Sequence, residues 1–142
     1  MKDIVATYMG GKIISEEKYE MPHGSHSEGV IYNWKVPKGM PPFGEAYKYA
    51  KIGIFNYDSD WNWLIPVIEK IENTEISGDF RTYKYRFIIY KNECVIEEYN
   101  WDRITYQTYN WHPYIKIEGK NKIKATYDCI VEFLNKQIEI NE

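Results

Sequence analysis

His23 and His26 stand three residues apart in P-H-G-S-H-S, with Glu28 close behind and His112 far along the chain. This is the one grouping whose residue types and spacing suggest a metal. Zinc sites combine close ligands with distant ones, but a catalytic zinc needs three protein ligands held rigidly. A Gly- and Ser-bearing loop does not supply that rigidity, so the segment reads as a solvated loop and no metal is expected. Ser25 or Ser27 beside these histidines would act as a nucleophile only with a strained turn and an oxyanion hole, and no such pattern surrounds them. Asp58, Asp60 and Asp102 are candidate acid–base carboxylates, yet each stands where a helix cap or a turn accounts for it. There is no Walker loop and no Gly-x-Gly-x-x-Gly fingerprint. That argues against an NTPase or a dinucleotide oxidoreductase, and no cofactor is implied.

A stronger pattern lies in the second half. Arg81, Tyr83, Lys84, Tyr85 and Arg86 fall on one strand-like segment, followed by Trp101, Arg103, Tyr106, Tyr109, Trp111 and His112 on later ones. Interleaved rings and cations suit a nucleotide-sized ligand, because bases stack on aromatic faces while Arg makes paired hydrogen bonds to phosphate. Strand alternation places Lys84 and Arg86 on one sheet face and Arg81, Tyr83 and Tyr85 on the other, so they cannot all line one pocket of one subunit. The candidate ligand residues are Lys84, Arg86, Trp101, Arg103, Tyr106, Tyr109, Trp111 and His112. Trp34 joins them, on a Pro/Gly-rich arm with Lys38 that either closes over a ligand or packs against the sheet edge. A half-buried sheet with ordinary solvent-facing charges explains the same pattern without any ligand.

Composition narrows the classes. The chain has 142 residues, the usual size of one domain, and a formal charge of −3. That balance argues against general nucleic-acid binding, which needs Lys and Arg in number. Rings make up 17% of the residues, with 14 Tyr and 5 Trp, and that abundance suits a core, a partner surface or a flat ligand equally. Cys94 and Cys129 sit in apolar runs, as buried reduced thiols of a cytoplasmic protein do. No apolar run approaches the roughly 20 residues that span a bilayer, and no secretion signal is evident, so neither membrane nor export is expected.

The elements that would position these residues follow from periodicity. Ile4, Val5, Tyr8 and Met9 predict a short helix over residues 2–9, ended by Gly10-Gly11. Residues 15–50 read as an irregular Gly/Pro/His-rich insertion holding one extended segment around Val30, Tyr32, Trp34 and Val36. Residues 47–57 alternate as a strand does, and Asp58 or Ser59 is a suitable cap for a helix from about Asp60 to Glu72. Trp61, Leu64, Ile68 and Ile71 mark the buried face of that helix, with a kink or a tight first turn expected before Pro66. A hairpin joins Phe80–Lys91 to Glu93–Asn100, and two short strands follow over Ile104–Asn110 and Tyr114–Glu118. A closing helix from near Asn121 carries a stripe of Ile123, Tyr127, Ile130, Leu134 and Ile138. The expected fold is a single α+β domain, an antiparallel sheet with two or three helices packed on one face.

Three blocks together, W-N-W-L-I-P-V-I-E-K-I, the hairpin with Y-K-N-E-C-V-I and N-K-I-K-A-T-Y-D-C-I-V-E-F, resemble a family of small uncharacterised proteins from phages and prophages of Bacteroidetes-type hosts. The family has an N-terminal I-A-x-F-M-G stretch, matched here by Ile4 to Gly10, and a central S-W-D-W-L-M-P-V-V-E-K-I helix. The match covers about half the chain. Residues 15–50 are longer and richer in Gly, Pro and His than that pattern, and 101–114 richer in rings. The resemblance implies a phage accessory protein acting in the host cytoplasm, and it supplies no catalytic residues. The functional expectation is a non-enzymatic binder that sequesters a small nucleotide-like or phosphorylated ligand, such as a host immune signal, within a homo-oligomer. The alternatives are a module that inhibits a host protein, or a small phosphodiesterase using His23, His26 or His112.

Overall fold

The structure, a computed structural model, describes residues 3–20, 28–36, 49–51 and 55–141. The fold is α+β with antiparallel sheets, and the chain falls into two compact units, residues 1–56 and 57–142. Among the described residues no helix is long and apolar enough to cross a membrane.

The first unit opens with α1 (Ile4–Tyr8), capped by the Asp3 carboxylate, which accepts from the Ala6 N–H at 2.9 Å. Gly10, at φ 98°, ends the helix as the Gly-Gly pair predicts. Gly11 is buried, and a Cβ there would lie 3.0 Å from the Ala6 carbonyl oxygen and 3.2 Å from the Trp34 ring. The strands β1 (Lys12–Glu20) and β2 (Glu28–Lys35) pair antiparallel from Lys12↔Lys35 to Glu20↔Glu28, and β3 (Tyr49–Lys51) adds to the other side of β2. Much of the stretch expected to be irregular is therefore sheet. K-I-I-S-E-E-K-Y-E has too many charges to announce a strand, and pairing with β2 supplies what its own pattern lacks. Of the segment 47–57 expected to run as a strand, the described residues 49–51 are strand, and Phe55 and Asn56 lie outside it. His23, Ser25, His26, Ser27 and Lys38 lie outside the described residues.

The second unit starts with α2 (Trp61–Glu72). Its cap is Asp60, one residue beyond Ser59 and two beyond Asp58, the caps expected, and the Asp60 carboxylate accepts from Asn62 N–H at 2.9 Å. The helix continues through Pro66, which has no N–H to give to the Asn62 carbonyl. Its buried side chains are Trp63, Leu64, Val67, Ile68 and Ile71. Leu64, Ile68 and Ile71 are buried as expected; of the two tryptophans Trp61 is half-buried and Trp63 buried, where Tyr57 in the preceding turn meets it edge-on at 5.0 Å.

The sheet order is β4 (Ile76–Ser77), β5 (Arg81–Tyr90), β6 (Glu93–Asp102), β7 (Thr108–Glu118), antiparallel throughout. The β5–β6 hairpin turns at Lys91-Asn92, as its sequence predicts, with Lys91 at φ 52°. The two strands expected after it are one, β7, running through Trp111, His112 and Pro113 with two register shifts. The long helix α3 (Lys122–Asn141) lies across the inner face against β5, β6 and β7, and α2 lies against β5 and touches α3. Cys94, Ile96, Tyr85 and Ile115 from the sheet meet Ala125, Cys129, Ile130, Phe133 and Leu134 from α3 in the core. Of the expected stripe Ile130 and Leu134 are buried, Ile123 and Tyr127 half-buried and Ile138 exposed, while small residues at 125, 126 and 129 are fully buried. Small side chains let the helix approach the sheet closely, and a reading weighted toward large apolar residues misses them. Both cysteines are free and buried, with the Cys129 thiol 3.5 Å from the Cys94 carbonyl oxygen.

Candidate functional site

In β6 every second residue, Cys94, Ile96, Glu98 and Asn100, is buried toward α3. The alternate residues Val95, Glu97, Tyr99 and Trp101 therefore face outward, away from the helices of this unit. The pairings Arg86↔Glu97, Lys84↔Tyr99 and Thr82↔Trp101 put Lys84 and Arg86 on that outer face. Tyr99 is its centre. The Trp101 ring lies 5.8 Å from it along β6 and the Trp111 ring 5.5 Å from it across to β7, both tilted by about 45°.

Each tryptophan carries its own cation. The Lys84 ammonium sits 5.5 Å from the Trp101 ring centre, and the Arg86 guanidinium carbon 4.4 Å from that of Trp111. Both distances are within the range at which a ring quadrupole attracts a cation. Arg86 donates through Nε at 2.8 Å and Nη2 at 2.7 Å to Glu97 Oε1, and Lys84 pairs with Glu75 at 3.2 Å. The carboxylate of Glu97 fixes the guanidinium over the indole and leaves Nη1 facing away from that pair. Lys84 and Arg86 remain nearly half exposed.

Trp111 reaches this face because of a bulge. Ile96 pairs with Ile115 but Glu97 pairs with Pro113, so Tyr114 is the extra residue, and its ring turns inward onto Tyr85 and Phe133. Strict alternation from Ile115 would have sent Trp111 inward. The same shift brings His112 opposite Glu98, and a second one brings Tyr109 opposite Asn100, both on the inner face.

Those inner residues form a separate polar cluster at the end of the sheet. The Glu98 carboxylate accepts from the Tyr85 hydroxyl at 3.0 Å and the Asn100 amide at 3.2 Å, and His112 Nε2 approaches it to 3.5 Å. His112 Nδ1 faces the Asn110 carbonyl at 2.9 Å. Arg81 donates to Asn100 at 2.8 Å and covers the Tyr109 ring at 4.6 Å. Burial, then the negative charge of Glu98 that it donates to, pushes the Tyr85 hydroxyl well above its ordinary value. The hydrogen bonds of Glu98 to Tyr85 and Asn100, with the half-exposed His112 alongside, tie the cluster together.

The nine residues singled out in the sequence therefore part company. Lys84, Arg86, Trp101 and Trp111 meet on the outer face, and Tyr109 and His112 lie on the inner one. Arg103 clips the β4–β5 turn, its guanidinium donating to the carbonyls of Gly78 and, at 2.7 Å, Asp79. Tyr106, at φ 58°, is 83% exposed on the β6–β7 turn. Trp34, in the first unit, is 1% exposed and edge-on to Phe55 at 5.4 Å, so its face is occupied by packing. Tyr99 and Glu97 belong to the outer cluster and were not singled out, although their alternation with Trp101 on one strand was a signal. Asp60 caps α2 and Asp102 holds the β6–β7 turn, the structural parts a cap or a turn assigns them. The Asp102 carboxylate accepts from Ile104 and Thr105 N–H groups, which hold it below its ordinary value. Among the described residues no three His, Cys, Asp or Glu gather to hold a metal ion. No protein-family model, curated protein or solved structure matches this chain.

Proposed function

We propose that the outer sheet face is a stacking platform for a planar, anionic ligand of nucleotide type, and that the protein binds this ligand without transforming it. The supporting observation is the cluster around Tyr99, in which Trp101 and Trp111 each pair with a half-exposed cation. Rings bind a base by its face, and Lys84 and the outward edge of Arg86 supply donors for phosphate. With the resemblance to phage accessory proteins, the reading is sequestration of a signalling nucleotide in the host cytoplasm, with a second copy of the chain enclosing the ligand.

A thermal-shift screen of the purified protein against nucleotides and ADP-ribose derivatives tests it, followed by chromatography of ligand released by heat. A ligand at a hundred times its Kd adds about 2.7 kcal/mol to stability. A clear rise in Tm with the ligand recovered intact is the expected result. Altered ligand would make the protein an enzyme, and no shift would remove the reading.

A second reading rests on Ile88 and Tyr90, which extend the same outer face and are 44% and 66% exposed. A protein partner would cover them together with Trp101, Trp111 and Arg86, the residue types that carry interface energy. In that case no small molecule shifts Tm, and a partner protein does.

A further inference from the structure

We infer that the platform selects a ligand whose phosphate is a terminal monoester over one whose phosphate is esterified twice. The inference rests on the stacking reading above and adds the kind of phosphate. Of the cations on the outer face, Lys84 and Arg86 adjoin Tyr99: Lys84 pairs with it across the strands, and Arg86 pairs with Glu97 two residues away. Lys116 stands opposite Val95, about 13 Å from Tyr99 along β6, and Lys91 lies over the Tyr90 ring at the hairpin end. A phosphate carried by a base stacked at Tyr99 therefore meets Lys84 and Arg86 first.

Their carboxylates hold these two cations to different degrees. Lys84 meets Glu75 through one contact of 3.2 Å, with the side chains 45% and 54% exposed. A pair that open to water adds little stability, so a phosphate can take the place of Glu75 at small cost. Arg86 gives both Nε and Nη2 to Glu97, whose side chain is only 14% exposed, and taking the guanidinium away would strand a shielded charge. Arg86 therefore keeps Glu97 and its charge stays balanced, while Lys84 is open to exchange. Exchange sets a condition on the ligand. Glu75 carries one negative charge and is tethered beside Lys84, so a diester phosphate, which also carries one, gains nothing by replacing it. A monoester, at about −1.5 to −2 near pH 7, does gain. Glu75 is thus the selecting group.

The test is titration calorimetry on the full chain at low, fixed salt with adenosine, its 5′-phosphate and the methyl ester of that phosphate, and with the same three compounds of cytidine. Within each set the base and sugar are shared and the phosphate differs. The monoester is expected to bind about fivefold tighter than its methyl ester, the effect of one added charge about 4 Å from a cation in water. The methyl ester should bind no tighter than the nucleoside. In Glu75→Gln the methyl ester should rise above the nucleoside, because its phosphate then meets Lys84 without a competitor. In Lys84→Gln the monoester should fall to the nucleoside. Both changes lie at an exposed ion pair, and circular dichroism and Tm verify that the variants fold. A methyl ester that binds as tightly as the monoester would overturn the inference and leave the stacking reading standing. So would a methyl ester that gains nothing over the nucleoside in Glu75→Gln. No binding of any of the six compounds would overturn both.

Discussion

Among single residues, Tyr85 most clearly joins packing to charge. Its ring meets Phe133 edge-on at 4.7 Å, and its hydroxyl donates to the buried Glu98 carboxylate. In Tyr85→Phe the carboxylate keeps its burial and loses a donor, which costs about 1–3 kcal/mol at neutral pH by urea denaturation. The pH dependence has a definite sign. The hydroxyl is raised above its ordinary value of 10.0 in the folded protein, so its contribution is whole below that pH and lost as pH rises beyond it. The difference between wild type and Tyr85→Phe should therefore narrow above about pH 10. Equal stability of the two proteins at pH 7 would show that the hydrogen bond adds nothing. Lys84 and Arg86 were legible as co-facing residues because β5 is regular. Trp111 was not, since its side of the sheet depends on the bulge at Tyr114, which nothing in N-W-H-P-Y announces beyond the proline.

Among elements, helix positions were legible and helix faces less so. Asp60, Gly10 and Asn121 punctuate as their chemistry requires, with Asn121 Oδ1 accepting from Lys124 N–H at 2.9 Å. The faces of α2 and α3 were legible at Leu64, Ile68, Ile71, Cys129, Ile130 and Leu134 and misjudged at Trp61 and Ile138. Burial of Ala125 and Thr126 follows from a sheet that only tertiary folding brings near. Gly119 sits at the joint where β7 turns into α3. Its N–H donates to Asn92 O at 2.9 Å, and a Cβ there would lie 2.8 Å from Ala125 N and 2.9 Å from Ala125 Cα. Those atoms are helix backbone and cannot swing aside. Gly119→Ala should therefore cost about 1–3 kcal/mol in chemical denaturation, and unchanged stability would mean that α3 shifts freely on the sheet.

Across the whole molecule, the α+β class with antiparallel sheets was legible from the order of periodic segments, whereas the pairing of β1 with β2 was not. They are consecutive strands whose pairing closes at Glu20↔Glu28, but the charges of β1 hide its strand pattern. Lys84, Arg86, Tyr99, Trp101 and Trp111 all belong to the second unit, which has its own core of α2, the four-stranded sheet and α3. A fragment of residues 57–142 should unfold cooperatively and bind the same ligands within about tenfold of the full chain, by calorimetry on the isolated fragment. A fragment without cooperative unfolding would show that the second unit depends on residues 1–56. The sulfur atoms of Cys94 and Cys129 add a native reporter to this unit. Both lie where α3 meets the sheet and neither is solvent-exposed; their mutual hydrogen bond, and then burial, hold Cys129 above its ordinary value, while the same bond holds Cys94 below its own. Enclosed, they are out of reach of a thiol reagent as long as that helix stays seated. The rate at which a thiol reagent labels them thus measures how often α3 lifts from the sheet, a clock for local opening that needs no added label site.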